Sequence, residues 1–203
     1  MRKIHIIPML NPDGVEYRLN GISENNPIRE RVIAYNEGED FTKWNANARG
    51  VDLNHNYNAR FNEYKIYEKQ HGITPGKTKY SGEYPESEPE TAALCAFVRS
   101  MEISLVMSLH SQGEEIYYSY IGDDESSRRN LSAAKKLSEL CGYKLSEPQG
   151  MASYGGLSDW CGSVGIPSFT FECGIGKNPL PISECRSIYA KMRAALFCAP
   201  NLF

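Results

Sequence analysis

Four short segments of this 203-residue chain carry side chains suited to chemistry. His110 closes the apolar run Leu105-Val106-Met107-Ser108-Leu109, and Glu172 closes a second run, Ser168-Phe169-Thr170-Phe171. An imidazole at such a point can ligate a metal or move a proton, and a carboxylate can serve as acid or base. Each has a plainer alternative, a hydrogen-bonded structural histidine and a salt-bridge partner. The third segment, Arg49-Gly50-Val51-Asp52-Leu53-Asn54-His55-Asn56-Tyr57, is either a polar surface that holds a ligand or a surface loop built from Asx-turns. The fourth, Tyr154-Gly155-Gly156-Leu157-Ser158-Asp159-Trp160, reads as a glycine-permitted loop that caps a helix through Ser158 or Asp159.

The elements around these segments follow from periodicity and punctuation. Ile4, Ile6 and Ile7, closed by Pro8, have the pattern of a buried strand. Asn11-Pro12-Asp13-Gly14 is a strong turn signal, because proline fixes φ and glycine accepts a positive one. One short helix is expected after Pro27 and another over residues 60–71. Ser87-Glu88-Pro89-Glu90 reads as a capping box opening a helix to about Met101. Ile103–Leu109 is a continuous apolar run, hence a strand covered on both faces. A second strand is expected over Glu115–Tyr120 and an amphipathic helix over 125–141, stopped by Gly142. A helix at Ser158–Val164, a strand at Ser168–Glu172 and a closing helix at Ile182–Phe197 complete the pattern. Strands alternating with helices predict an α/β fold, a three-layer α/β/α sandwich around a mixed, mainly parallel sheet. His110 then ends a strand at the carboxyl edge of the sheet, where such folds place ligands.

Composition narrows the function classes. Net charge −3, with acids and bases interspersed, argues against nucleic acid as partner. The six cysteines form no C-x-x-C pair and read as reduced, mostly buried thiols. No stretch approaches a membrane span, and the basic start at Arg2-Lys3 precedes too short an apolar run for a signal peptide. A cytoplasmic setting is the expectation.

Taken in order, the Asn-Pro-Asp-Gly turn, the Asp52-Leu53-Asn54 segment, His110 and the Thr170-Phe171-Glu172 strand end resemble the zinc carboxypeptidase family, the carboxypeptidase A-like metallopeptidases. That family binds zinc through a His-x-x-Glu pair and a later histidine. None of the four histidines here has an acid three residues on: positions 8, 58, 74 and 113 are Pro, Asn, Thr and Gly. The resemblance therefore implies a single catalytic domain over residues 1–203, truncated at its N-terminal side and lacking the first two zinc ligands. It makes His110 the equivalent of the third zinc ligand and Glu172 the general base. It makes Asn54 a donor to the substrate's terminal carboxylate and Arg49 a second polarising group. His55 stands where family members that release a free C-terminal residue carry arginine, and it lacks the bidentate guanidinium fork. Tyr154 and Ser158 fall in the stretch that closes over the substrate.

The Asn54-His55-Asn56 order and Gly176-Lys177-Asn178-Pro179-Leu180-Pro181 are similar to the bacterial γ-D-glutamyl-diamino-acid peptidases of that family. The implied activity is a hydrolase's: zinc-dependent cleavage of a peptide or muropeptide derived from peptidoglycan. The alternatives are a metal-free, inactive peptide-binding remnant, or one fragment of a longer or split enzyme. An open sheet edge at residues 3–8 is expected to be covered, most simply by a homodimer across a two-fold axis or by a rearranged N-terminal segment.

Overall fold

The structure, a computed structural model, describes residues 3–118, 124–147, 150–151 and 153–203. It divides into two compact units, one of Ile6–Glu102 with Met151–Trp160, the other of Met1–His5, Ile103–Gly150 and Cys161–Phe203.

The first unit is helical. α1 (Pro12–Asn20) begins at the Asn-Pro-Asp-Gly segment, so that segment is a helix start and not a free turn. Asn11 caps the helix by accepting from the Gly14 amide at 2.9 Å, with Pro12 in the first turn where its missing N–H costs nothing. The Asn11 amide also donates to the carbonyls of Asn45 (3.0 Å) and Ala46 (2.9 Å), which ties the helix start to the chain leading into Arg49. α2 (Arg29–Asn36) and α3 (Phe61–His71) occupy the expected positions. α4 (Pro89–Ser100) starts one residue later than a Ser87 cap would require. Asn56 Oδ1 takes the Glu88 amide, and Ser87 donates sideways to the Glu88 carboxylate at 2.8 Å, so the capping box does not form. Tyr17, Phe41 and Trp44 make an aromatic core with ring centroids 5.6–5.8 Å apart.

The second unit holds an open four-stranded sheet of β1 (Val106–His110), β2 (Glu115–Tyr118), β3 (Lys144–Ser146) and β4 (Ser168–Glu172). Residues 119 and 120, expected to extend β2, lie outside the described residues. The strand order is β1-β4-β2-β3, with two parallel pairings and one antiparallel. α5 (Glu125–Cys141) ends, as its sequence predicts, on Gly142 in the left-handed conformation at φ 75°. α7 (Cys185–Cys198) packs on α5 over one sheet face, burying Ile116, Leu137, Phe169, Phe171 and Met192. α6 (Leu157–Ser163) precedes β4. Alternation along β4 sends Phe169 and Phe171 toward the helices and leaves Ser168, Thr170 and Glu172 on the opposite face.

Two expectations fail here. Ile4, Ile6 and Ile7 form no strand and are 61, 80 and 50% exposed. No described strand offers them a hydrogen-bonding ladder, and a run this short has no stability of its own. The homodimer expected from an open edge at residues 3–8 loses that premise. The first apolar strand is also shorter than its run, and Leu109 on it is 55% exposed. β1 is an edge strand, paired only with β4 among the described strands, so its apolar content does not imply cover on both faces.

Candidate functional site

His110 and Glu172 are brought side by side. They are the last residues of β1 and β4, and the parallel register sets them directly opposite each other. β2 runs antiparallel to β4 and places Glu115 opposite Glu172, and β3 places Lys144 opposite Glu115. Directly opposed residues project from the same face. His110, Glu172, Glu115 and Lys144 therefore form one row across the end of the sheet, on the face away from α5 and α7. Burial lifts the Glu172 carboxyl above the ordinary glutamate range, and the neighbouring Glu115 charge adds to the rise. The Glu115 carboxyl is held low, first by its hydrogen bond from Lys144, at 2.7 Å, and further by Tyr117 at 3.1 Å. A carboxyl that burial makes readier to hold a proton is suited to taking and returning one.

The loops beyond the row hold its ends in place. The Cys173 amide donates to the His110 carbonyl at 2.8 Å, and the Glu114 amide to the Glu172 carbonyl at 2.7 Å. The Asn178 amide donates to the Ser111 carbonyl at 2.7 Å, and the Gly176 amide to Gln112 Oε1 at 3.2 Å.

The remaining candidates lie in the helical unit. Asp52 caps a single 3-10 turn, Leu53–His55, by accepting from the Asn54 amide at 3.2 Å, which leaves Asn54 exposed. The expected Asx-turn is thus present, but the segment is not a surface loop throughout. Asn47 and Asn56 are buried, and Asn56 holds the Ser81 carbonyl (2.7 Å), Ser87 Oγ (2.9 Å) and the Glu88 amide (3.2 Å). Arg49 is exposed, with Nε 3.9 Å from the buried Glu88 carboxylate. It lines a cleft of about 470 Å³ with Arg31, Tyr35, Tyr80, Tyr84 and Glu88. His55 stacks on Tyr64 and contacts the Tyr154 carbonyl. Tyr154 lies under the Arg60 guanidinium, 3.6 Å from its ring centroid. Ser158 sits partly buried at the second position of α6, beside Asp159, whose carboxyl is raised by burial.

Glu115, Lys144, Tyr64 and Arg60 were not singled out by the sequence. Glu115 and Lys144 join the row only through strand order, which no local signal encodes. For Arg60 and Tyr64 the only hint is their closeness in sequence to His55.

Zinc requires more than the row provides. Among the described residues no group of three or more His, Cys, Asp or Glu side chains is placed to hold a metal ion. His110 is one candidate ligand where a catalytic zinc site uses three from the protein. The residues described do not fit the ion by themselves.

A model of the zinc carboxypeptidase family matches residues 2–194. The chain belongs to that family. Within it, the chain is 35% identical over 189 residues to γ-D-glutamyl-L-diamino acid endopeptidase 1 of Lysinibacillus sphaericus, covering 92% of this chain and 46% of the relative. The chain spans about half the length of the curated relatives it matches. Bovine thrombin-activatable fibrinolysis inhibitor, solved with a tick carboxypeptidase inhibitor, superposes with a TM-score of 0.64 at 22% identity, covering 95% of this chain and 66% of that one. Murein-tripeptide amidase MpaA from Escherichia coli O157 superposes with a TM-score of 0.51 at 21% identity, covering 92% and 64%. These likenesses show that this carboxypeptidase-family chain has the carboxypeptidase fold. No helix among its described residues is long and apolar enough to cross a membrane.

Proposed function

We propose that this zinc carboxypeptidase-family chain serves a peptidase acting on muropeptides of the γ-D-glutamyl-diamino-acid kind. Glu172 carries the proton between the attacking water and the leaving amine. The observation that supports this most is the register of β1 and β4, which sets His110 and Glu172 as neighbours at the strand ends. The relative from L. sphaericus supports the substrate class. Asn54, Tyr154 and Ser158 contact substrate in this reading, and Arg49 supplies positive charge. His110 ligates zinc only in a site completed by ligands outside the described residues.

A second reading, a metal-free peptide binder, is favoured by one observation: among the described residues no group of three or more His, Cys, Asp or Glu side chains is placed to hold a metal ion. Calorimetry and mass spectrometry on a γ-D-glutamyl-diamino-acid tripeptide, with and without added zinc, separate the two. Cleavage that needs zinc supports the peptidase, and binding without cleavage supports the binder. No preference for the muropeptide over an all-L peptide of equal length overturns the substrate assignment.

A further inference from the structure

His55 is engaged on two sides within its own unit. Its ring lies flat on Tyr64, centroids 4.1 Å apart and planes 10° from parallel. Its Nδ1 is 2.7 Å from the carbonyl oxygen of Tyr154. A carbonyl oxygen only accepts, so Nδ1 carries the hydrogen in this contact. In the neutral ring Nε2 is then a bare lone pair, an acceptor and not a donor.

The backbone around this contact is tied in the same direction. The Tyr57 amide donates to the Gly155 carbonyl at 2.8 Å, and the Gly155 amide donates to the Ala59 carbonyl at 2.7 Å. Gly155, at φ 72°, lies so close that a Cβ there would sit 2.6 Å from the His55 carbonyl carbon. Arg60, pinned by Glu63 at 2.7 Å, covers the Tyr154 ring. Residues 153–156 are thus a fixed wall against residues 55–60, and His55 supplies a side-chain bond across that seam.

We infer that His55 is a positioning and specificity residue: Nδ1–H holds the Tyr154 segment, and Nε2 offers an acceptor that selects a hydrogen-bond donor on the ligand, an amine or amide N–H, over a carboxylate. The specificity half rests on the reading under Proposed function that the Asn54 segment contacts substrate. A guanidinium at this position would have the opposite preference, since it carries donors only. A diamino acid brings a second amine, the group such an acceptor takes, whereas a carboxylate presents lone pairs to a lone pair.

Three readouts test this. Nitrogen-15 NMR of the histidine-labelled chain should show the neutral His55 ring with hydrogen on Nδ1; hydrogen on Nε2 instead overturns the clamp. His55→Phe, which keeps a ring over Tyr64 but removes Nδ1, should speed amide exchange at Gly155 and Tyr57 about fivefold, the size of one net hydrogen bond. Unchanged exchange also overturns the clamp. The third readout compares two γ-D-glutamyl dipeptides, one ending in lysine and one in glutamate. The wild-type chain should bind the lysine peptide about fivefold more tightly, and His55→Arg should abolish or invert that ratio. An unaltered ratio overturns the specificity. If neither dipeptide binds any variant, the muropeptide reading fails and the specificity with it, while the ring's tautomer still decides the clamp.

Discussion

Gly155→Ala is the sharpest test of how the Tyr154 segment is held. The backbone at 155 has φ 72°, and the new Cβ would fall 2.6 Å from the His55 carbonyl carbon and 2.9 Å from its Cα. The neighbour is backbone, so nothing flexible can give way. The left-handed conformation costs an L-residue roughly 1–2 kcal/mol. Moving the segment away to relieve the contact breaks both backbone hydrogen bonds of Gly155, each contributing about 1 kcal/mol. The expected loss is therefore about 3–4 kcal/mol, a large share of a domain's net stability of roughly 5–15 kcal/mol. Gly72→Ala is the control in the same unit: φ is 63°, but nothing lies within 4 Å of the added Cβ. It should lose only the conformational part, about 1–2 kcal/mol. Urea unfolding followed by fluorescence of the buried Trp44 and Trp160 measures both variants. Equal midpoint shifts for the two would refute the close approach as the cause.

Three further outcomes follow from the same contacts. Asn56→Ala strands the Ser81 carbonyl and the Glu88 amide in a buried setting, at about 1–3 kcal/mol each; a thermal-unfolding loss below about 1 kcal/mol would contradict its role as a hub. Glu172→Gln should raise stability at neutral pH. The wild-type carboxyl is raised in the folded state, so its penalty is absent when both states are protonated, grows as pH rises through the ordinary glutamate range, and is complete above the folded value. Denaturation at pH 3 and pH 7 should show the gain only at the higher pH, and a gain of equal size at both would remove the titration argument. After dialysis against zinc-free buffer the chain should retain far less than one zinc per molecule by elemental analysis. Stoichiometric zinc would mean that the fold assembles ligands around His110 after all.

Much of the sheet-bearing unit was legible because its signals are local and redundant. The apolar runs before His110 and Glu172, and the long amphipathic segment stopped by Gly142, each carry both periodicity and punctuation. Signals that depend on a distant partner were not legible. Asn11 reads as a turn residue until the Asn45 and Ala46 carbonyls are seen to accept its side-chain amide. Ser87 reads as a helix cap until Asn56 takes the Glu88 amide. Lys144–Ser146 is too short to announce itself, yet it supplies the cation that holds Glu115. His55 stood out as a departure from the family's arginine, but only its stack on Tyr64 and the Tyr154 carbonyl fix its tautomer.

The central claim is that a muropeptide is handled at the His110–Glu172 strand ends. The most direct measurement is an NMR titration of the labelled chain with a γ-D-glutamyl-diamino-acid tripeptide, following the His110 ring and the amides of Cys173 and Gly174. Saturable shifts are expected at these positions in the wild-type chain, altered in Glu172→Gln and weaker with an all-L peptide. Saturable binding that leaves His110, Cys173 and Gly174 unmoved would contradict it.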